Sequence, residues 1–124
     1  MIDIKQLIET YFKSIRIREN GDYVIATPSF FHIESSESIC LRFSETEDGR
    51  PVVSDCGTTR DYLDTQYIRL SDYKEKLDAI KERFFLEEED GVFSMTIPTT
   101  TTHMVHKHLG FFIQAISIIA NIDL

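Results

Sequence analysis

Cysteine is scarce in this chain. Only Cys40 and Cys56 occur among 124 residues, and neither stands in a CxxC or zinc-binding spacing. Both thiols are expected reduced, Cys40 packed on a strand and Cys56 in a turn. Basic residues are also in the minority, thirteen against twenty-one acidic, for a net charge of −8. A field of that sign disfavours contact with nucleic-acid backbones and suits a basic protein partner. No apolar run is long and unbroken enough to cross a bilayer. The first residues are amphipathic and acidic rather than signal-like, so the expected location is cytoplasmic. No G-x-G-x-x-G, Walker loop, G-x-S-x-G or H-E-x-x-H occurs, which lowers the expectation of an enzyme.

The chain does have apolar material. It is 42% hydrophobic, with nine Phe and five Tyr, enough for one domain over residues 1–124 without metal or disulfide support. Ile4, Leu7, Ile8, Tyr11, Phe12 and Ile15 recur at helical spacing and predict a helix over residues 2–18, stopped at Asn20-Gly21. Strands follow at residues 22–27, 38–44 and 51–54. Ile39, Leu41 and Phe43 face inward, and Asp48-Gly49 marks the turn between the last two. Thr58 with Asp61, and Asp72 with Glu75, have the spacing of capping boxes for two helices. The first is short, reaching Leu63. The second ends near Phe84 and carries Tyr73, Leu77, Ile80 and Phe84 on one face. A hairpin over residues 85–97 turns at Asp90-Gly91.

The closing segment is the most apolar. Ten of the fourteen residues from Leu109 to Ile122 are Leu, Phe, Ile or Ala. The interruptions, Gly110, Gln114, Ser117 and Asn121, fall on one narrow helical stripe. A helix with so much apolar circumference needs cover on most sides, and a second subunit or partner is expected to provide part of it. The whole reads as α+β, an antiparallel sheet packed by helices in the order α-β-β-β-α-α-β-β-α.

Two resemblances accompany this reading. The order and lengths of the elements are similar to bacterial type III secretion chaperones, which implies a small, acidic, dimeric, non-enzymatic binder of peptides or proteins. The stretch Val53-Ser54-Asp55-Cys56-Gly57-Thr58-Thr59 with Leu63 resembles the Thr/Ser-Asp-x-Gly-x-Thr turn of an uncharacterised family of small phage and bacterial proteins. Ala26-Thr27-Pro28 fits the same pattern. That resemblance implies the fold and a phage-associated setting, but no activity.

Candidate sites follow from residue chemistry. Asp55, Gly57 and Thr59 make a structural turn, Asp55 accepting from backbone N–H groups and Gly57 taking positive φ. Phe111, Ile118 and Ile122 are expected to meet an oligomer partner or cargo, with a homodimer as the preferred assembly. Glu45, Glu47 and Asp48, together with Glu87, Glu88, Glu89 and Asp90, form acidic turns that keep the surface solvated, protect edges or dock a cationic partner. His103, His106 and His108 cannot all converge on a regular helix, so no metal or other cofactor is expected. The function these features favour is a non-enzymatic protein-binding module. Alternatives are an inhibitor or DNA mimic directed at a nucleic-acid-binding enzyme, which needs the acidic turns aligned, and a metal-dependent hydrolase using Asp55, Asp61 and a histidine.

Overall fold

The computed structural model describes residues 15–17, 23–25, 39–98 and 101–124. Six strands form one antiparallel sheet: β1 (Ile15–Ile17), β2 (Tyr23–Ile25), β3 (Ile39–Glu45), β4 (Pro51–Ser54), β5 (Glu87–Glu89) and β6 (Val92–Thr96), in the spatial order β1-β2-β3-β4-β6-β5. Among the described residues three α-helices accompany it: α1 (Thr58–Thr65), α2 (Lys74–Phe84) and α3 (Thr102–Ala120). The α+β class and the antiparallel sheet are as expected from the sequence.

The expected first helix is corrected at its end. Ile15, Arg16 and Ile17 are a strand, paired with Ile25, Val24 and Tyr23. The two β-branched residues Ile15 and Ile17 suit a paired strand, and the ladder with β2 gives their backbone more than one further helical turn would. The rest of that predicted helix lies outside the described residues.

The sheet buries one face. Leu41, Val53, Phe93 and Ile97 are fully enclosed and Met95 nearly so, while Arg42 and Ser44 on the other face are exposed. This is the period-2 alternation of a sheet covered on one side. α1 and α2 both pack on α3. The α2 stripe is as predicted, with Leu77 and Phe84 buried and Tyr73 and Ile80 half-buried against the core. α3 supplies the largest share of the core: Val105, Leu109, Phe112, Ile116 and Ile119 are enclosed within this one chain.

Neither predicted capping box forms. α1 starts after Gly57 and α2 after Tyr73, both without a side-chain cap, and a 3₁₀ turn at Leu70–Tyr73 leads into α2. The Thr58 hydroxyl is diverted, donating to the Asp55 carbonyl at 2.7 Å. α1 and α2 end alike. In each, one N–H reaches back five residues, Ile68 to Leu63 at 3.0 Å and Leu86 to Lys81 at 2.9 Å. The residue before it takes the left-handed conformation, Tyr67 at φ 58° and Phe85 at φ 55°. This is the Schellman ending, which ordinarily uses glycine at that position. Phe85 therefore belongs to the helix cap rather than to the hairpin strand. The hairpin itself turns through Asp90 (φ 52°) and Gly91 (φ 79°), as a two-residue turn of the type that matches strand twist.

Candidate functional site

The turn after β4 is built around Asp55, which is fully buried. Oδ1 accepts from the N–H of Gly57 at 2.9 Å and of Phe93 at 3.0 Å. The Asp55 carbonyl accepts from Thr58 N–H at 3.1 Å, and Ser54 Oγ accepts from Cys56 N–H at 3.1 Å. Cys56 (φ 60°) and Gly57 (φ 76°) take the left-handed conformation that turns the chain into α1. Burial raises the Asp55 carboxyl above its ordinary value, against the lowering effect of the Thr59 hydroxyl and of the N–H donors. The Thr59 hydroxyl lies near the carboxyl without hydrogen-bond geometry, so Asp55 Oδ2 and Thr59 Oγ1 are both buried and unpaired. The three turn residues are thus brought together, and every hydrogen bond of the Asp55 carboxyl goes to backbone.

The acidic turns are not brought together. Glu45 pairs with Pro51 at one end of β4, and Val52 pairs with Thr96 beside it. The other acidic turn follows Glu89, which pairs with Val92 at the opposite end of β6. The two clusters therefore sit at opposite ends of the sheet and cannot form one line of phosphate-like charges. Asp48 is held by the Thr46 hydroxyl and by Arg50 Nε at 3.0 Å, which lower its pKa. Lys81 Nζ contacts Glu88 at 3.3 Å and Asp78 at 3.6 Å. Glu45, Glu47 and Glu89 are exposed, and the three Glu residues of β5 form an edge strand of the sheet.

Among the described residues no group of three or more His, Cys, Asp or Glu is placed to hold a metal ion. His108 Nδ1 is 2.8 Å from the Met104 carbonyl. Asp61 is exposed on α1, while Asp55 is enclosed below it.

The remaining candidates lie on α3, and the structure separates them. Ile122 is 3% exposed. The helix stops at Ala120, and Ile122 N–H bonds back to the Ile119 carbonyl at 3.1 Å, folding the side chain into the chain's own core. Ile122 is therefore not available to a partner. Phe111 and Ile118 are 40% and 36% exposed, and with Met104 they recur every seven residues along the outer face. Gly110 also faces solvent, and a methyl group there would meet nothing within 4 Å.

Phe111 forms one wall of a groove of about 570 Å³. Its ring stands edge-on to His108, centroids 5.8 Å apart. Phe85 lines the groove from the end of α2, and Met95 and Pro98 line it from β6 and the residues beyond. Phe85 is 85% exposed. Holding a bulky residue in the left-handed region costs about 1–2 kcal/mol, so this ring is displayed at some expense to stability. Arg83 borders the groove, its guanidinium carbon 5.2 Å from the centroid of the Phe84 ring. Among the described residues none that lines the groove is acidic, and Arg83 has no carboxylate partner. Arg83 carries no signal in the sequence pattern, whereas the adjacent pair Phe84-Phe85 marks one of its two rings as a candidate to face out of the core. The available signal was the apolar stripe of α2, which ends at Phe84 and leaves the adjacent Phe85 about 100° out of line.

None of the described helices is long and apolar enough to cross a membrane. No family model matches the chain, and no curated protein or solved structure matches it either.

Proposed function

We propose that this protein is a non-enzymatic protein-binding module that docks a partner polypeptide in the groove between Phe85 and Phe111. The observation that carries the reading is the pair of exposed aromatic side chains, Phe85 and Phe111, that line one apolar groove. Small soluble domains enclose most such rings, and aromatic side chains beside an apolar pocket are the usual anchors of protein interfaces. Phe85 adds weight because its backbone conformation favours glycine, so folding alone does not call for a phenylalanine there. The proposed setting is the cytoplasm.

The test compares the wild-type protein with Phe111→Asp and Phe85→Asp, each immobilised and exposed to proteins of the native host. A partner held by the wild type and lost from both variants, with unchanged far-UV dichroism, supports the reading. Equal retention by all three overturns it.

A further inference from the structure

Resting on the docking reading above, we infer that the groove takes an amphipathic segment of another protein that presents a large apolar side chain next to a carboxylate. The argument is one of charge. The groove walls formed by Phe84, Phe85, Met95 and Phe111 are apolar, and its polar lining consists of Arg83, Thr96, His108 and Gln114. A guanidinium has five N–H donors and no acceptor. Here it lies over an aromatic ring in a chain with twenty-one acidic residues, yet none of the described ones pairs with it. An occupant that is apolar only would cover this cation without satisfying it, at a desolvation cost. A carboxylate on the occupant answers it in the bidentate geometry that arginine favours.

The surrounding charge supports the same choice. α3, which forms one wall, contains no Asp or Glu over its nineteen residues, and Lys107 is its one Lys or Arg. A carboxylate entering the groove therefore meets no like charge from that helix. The net charge of −8 opposes an acidic partner at long range. At physiological ionic strength screening acts over about 8 Å, so the cation at the border of the groove sets the local preference. The acidic turns, for which docking of a cationic partner is one of the roles expected from the sequence, contribute no residue to the lining.

Fluorescence anisotropy with two labelled peptides tests the inference. Both carry Leu and Phe at helical spacing, and they differ only in having Glu or Lys at the polar positions. The wild-type protein is expected to bind the Glu peptide at least tenfold more tightly, with the preference shrinking as salt is raised. Arg83→Glu is expected to reverse the preference, Arg83→Gln to abolish it, and Phe111→Asp to remove binding of both peptides. Equal binding of the two peptides, or tighter binding of the Lys peptide, overturns the charge inference and leaves the docking reading standing. A mass that doubles with concentration in the absence of peptide, and no longer does so in Phe111→Asp, makes a second copy the occupant and also overturns the inference. If neither peptide binds and the protein does not self-associate, both readings fall.

Discussion

Asp55 and Phe93 bond to each other twice, and the second bond comes from a side chain. Asp55 N–H donates to the Phe93 carbonyl at 3.0 Å, continuing the β4–β6 ladder one pair beyond Ser54 and Ser94. In a regular ladder Phe93 N–H would donate to the Asp55 carbonyl. That carbonyl is already turned toward Thr58 at the start of α1, so Asp55 Oδ1 accepts from Phe93 N–H instead, also at 3.0 Å. One residue thereby ends a strand, begins a helix and keeps the neighbouring strand paired. Asp55→Ala should cost about 2–3 kcal/mol in urea denaturation, because the buried Phe93 N–H and the part-buried Gly57 N–H lose their acceptor. Asp55→Asn keeps an acceptor oxygen and should cost clearly less.

The same carboxyl makes stability depend on pH. Its folded pKa is raised above the unfolded value by burial. Between those two values the folded state binds more protons than the unfolded state, so stability falls as pH rises through that window and levels off above it. Chemical denaturation from mild acid to neutral pH should show a smaller decline for Asp55→Asn than for the wild type. An identical decline would mean that the buried carboxyl is not responsible.

Gly91 has two reasons to be glycine. Its φ is +79°, and a methyl group would lie 2.4 Å from Arg60 Cδ. Arg60 Nη1 is itself held by the Asp90 carbonyl at 3.0 Å. Gly91→Ala should destabilise by about 1–2 kcal/mol through the backbone alone, with a further loss from displacement of Arg60. Adding Arg60→Ala should recover the second part but not the first, as read from paired thermal melts.

Phe85→Gly should raise stability by about 1 kcal/mol, since glycine takes the left-handed cap without strain. The ring is mostly in solvent, so little packing is lost with it. A lower melting temperature would show that Phe85 packs more closely than its exposure indicates.

Adjacent residues on α3 should behave differently. Phe112 is fully buried, and Phe112→Ala should cost about 3–5 kcal/mol. Phe111→Ala should cost about 1 kcal/mol or less, because much of its ring is already in water. Gly110→Ala should stabilise the helix by about 1 kcal/mol, as its methyl group meets nothing. Equilibrium denaturation of the three variants checks the order.

Much of the fold can be read from local pattern. Phe93, Met95 and Ile97 alternate because a sheet has two faces, and Tyr73, Leu77, Ile80 and Phe84 repeat because a helix has a stripe. The Asp90-Gly91 turn and the Asp55-x-Gly57 turn follow from residues that tolerate positive φ or bond to nearby backbone. Each of these features depends on neighbours only a few positions away, which is why the sequence alone was enough to determine them. The tertiary structure decided the rest. Ile15–Ile17 joined a strand because Tyr23–Ile25 offered it a ladder. Ile122 went inward while Phe111 and Ile118 stayed exposed, because the reach of the sheet, α1 and α2 determines how much of α3 is covered. The groove exists only because the end of α2 is brought against the outer side of α3. Such outcomes depend on distances between residues far apart in the chain, and a one-dimensional pattern carries no such distances.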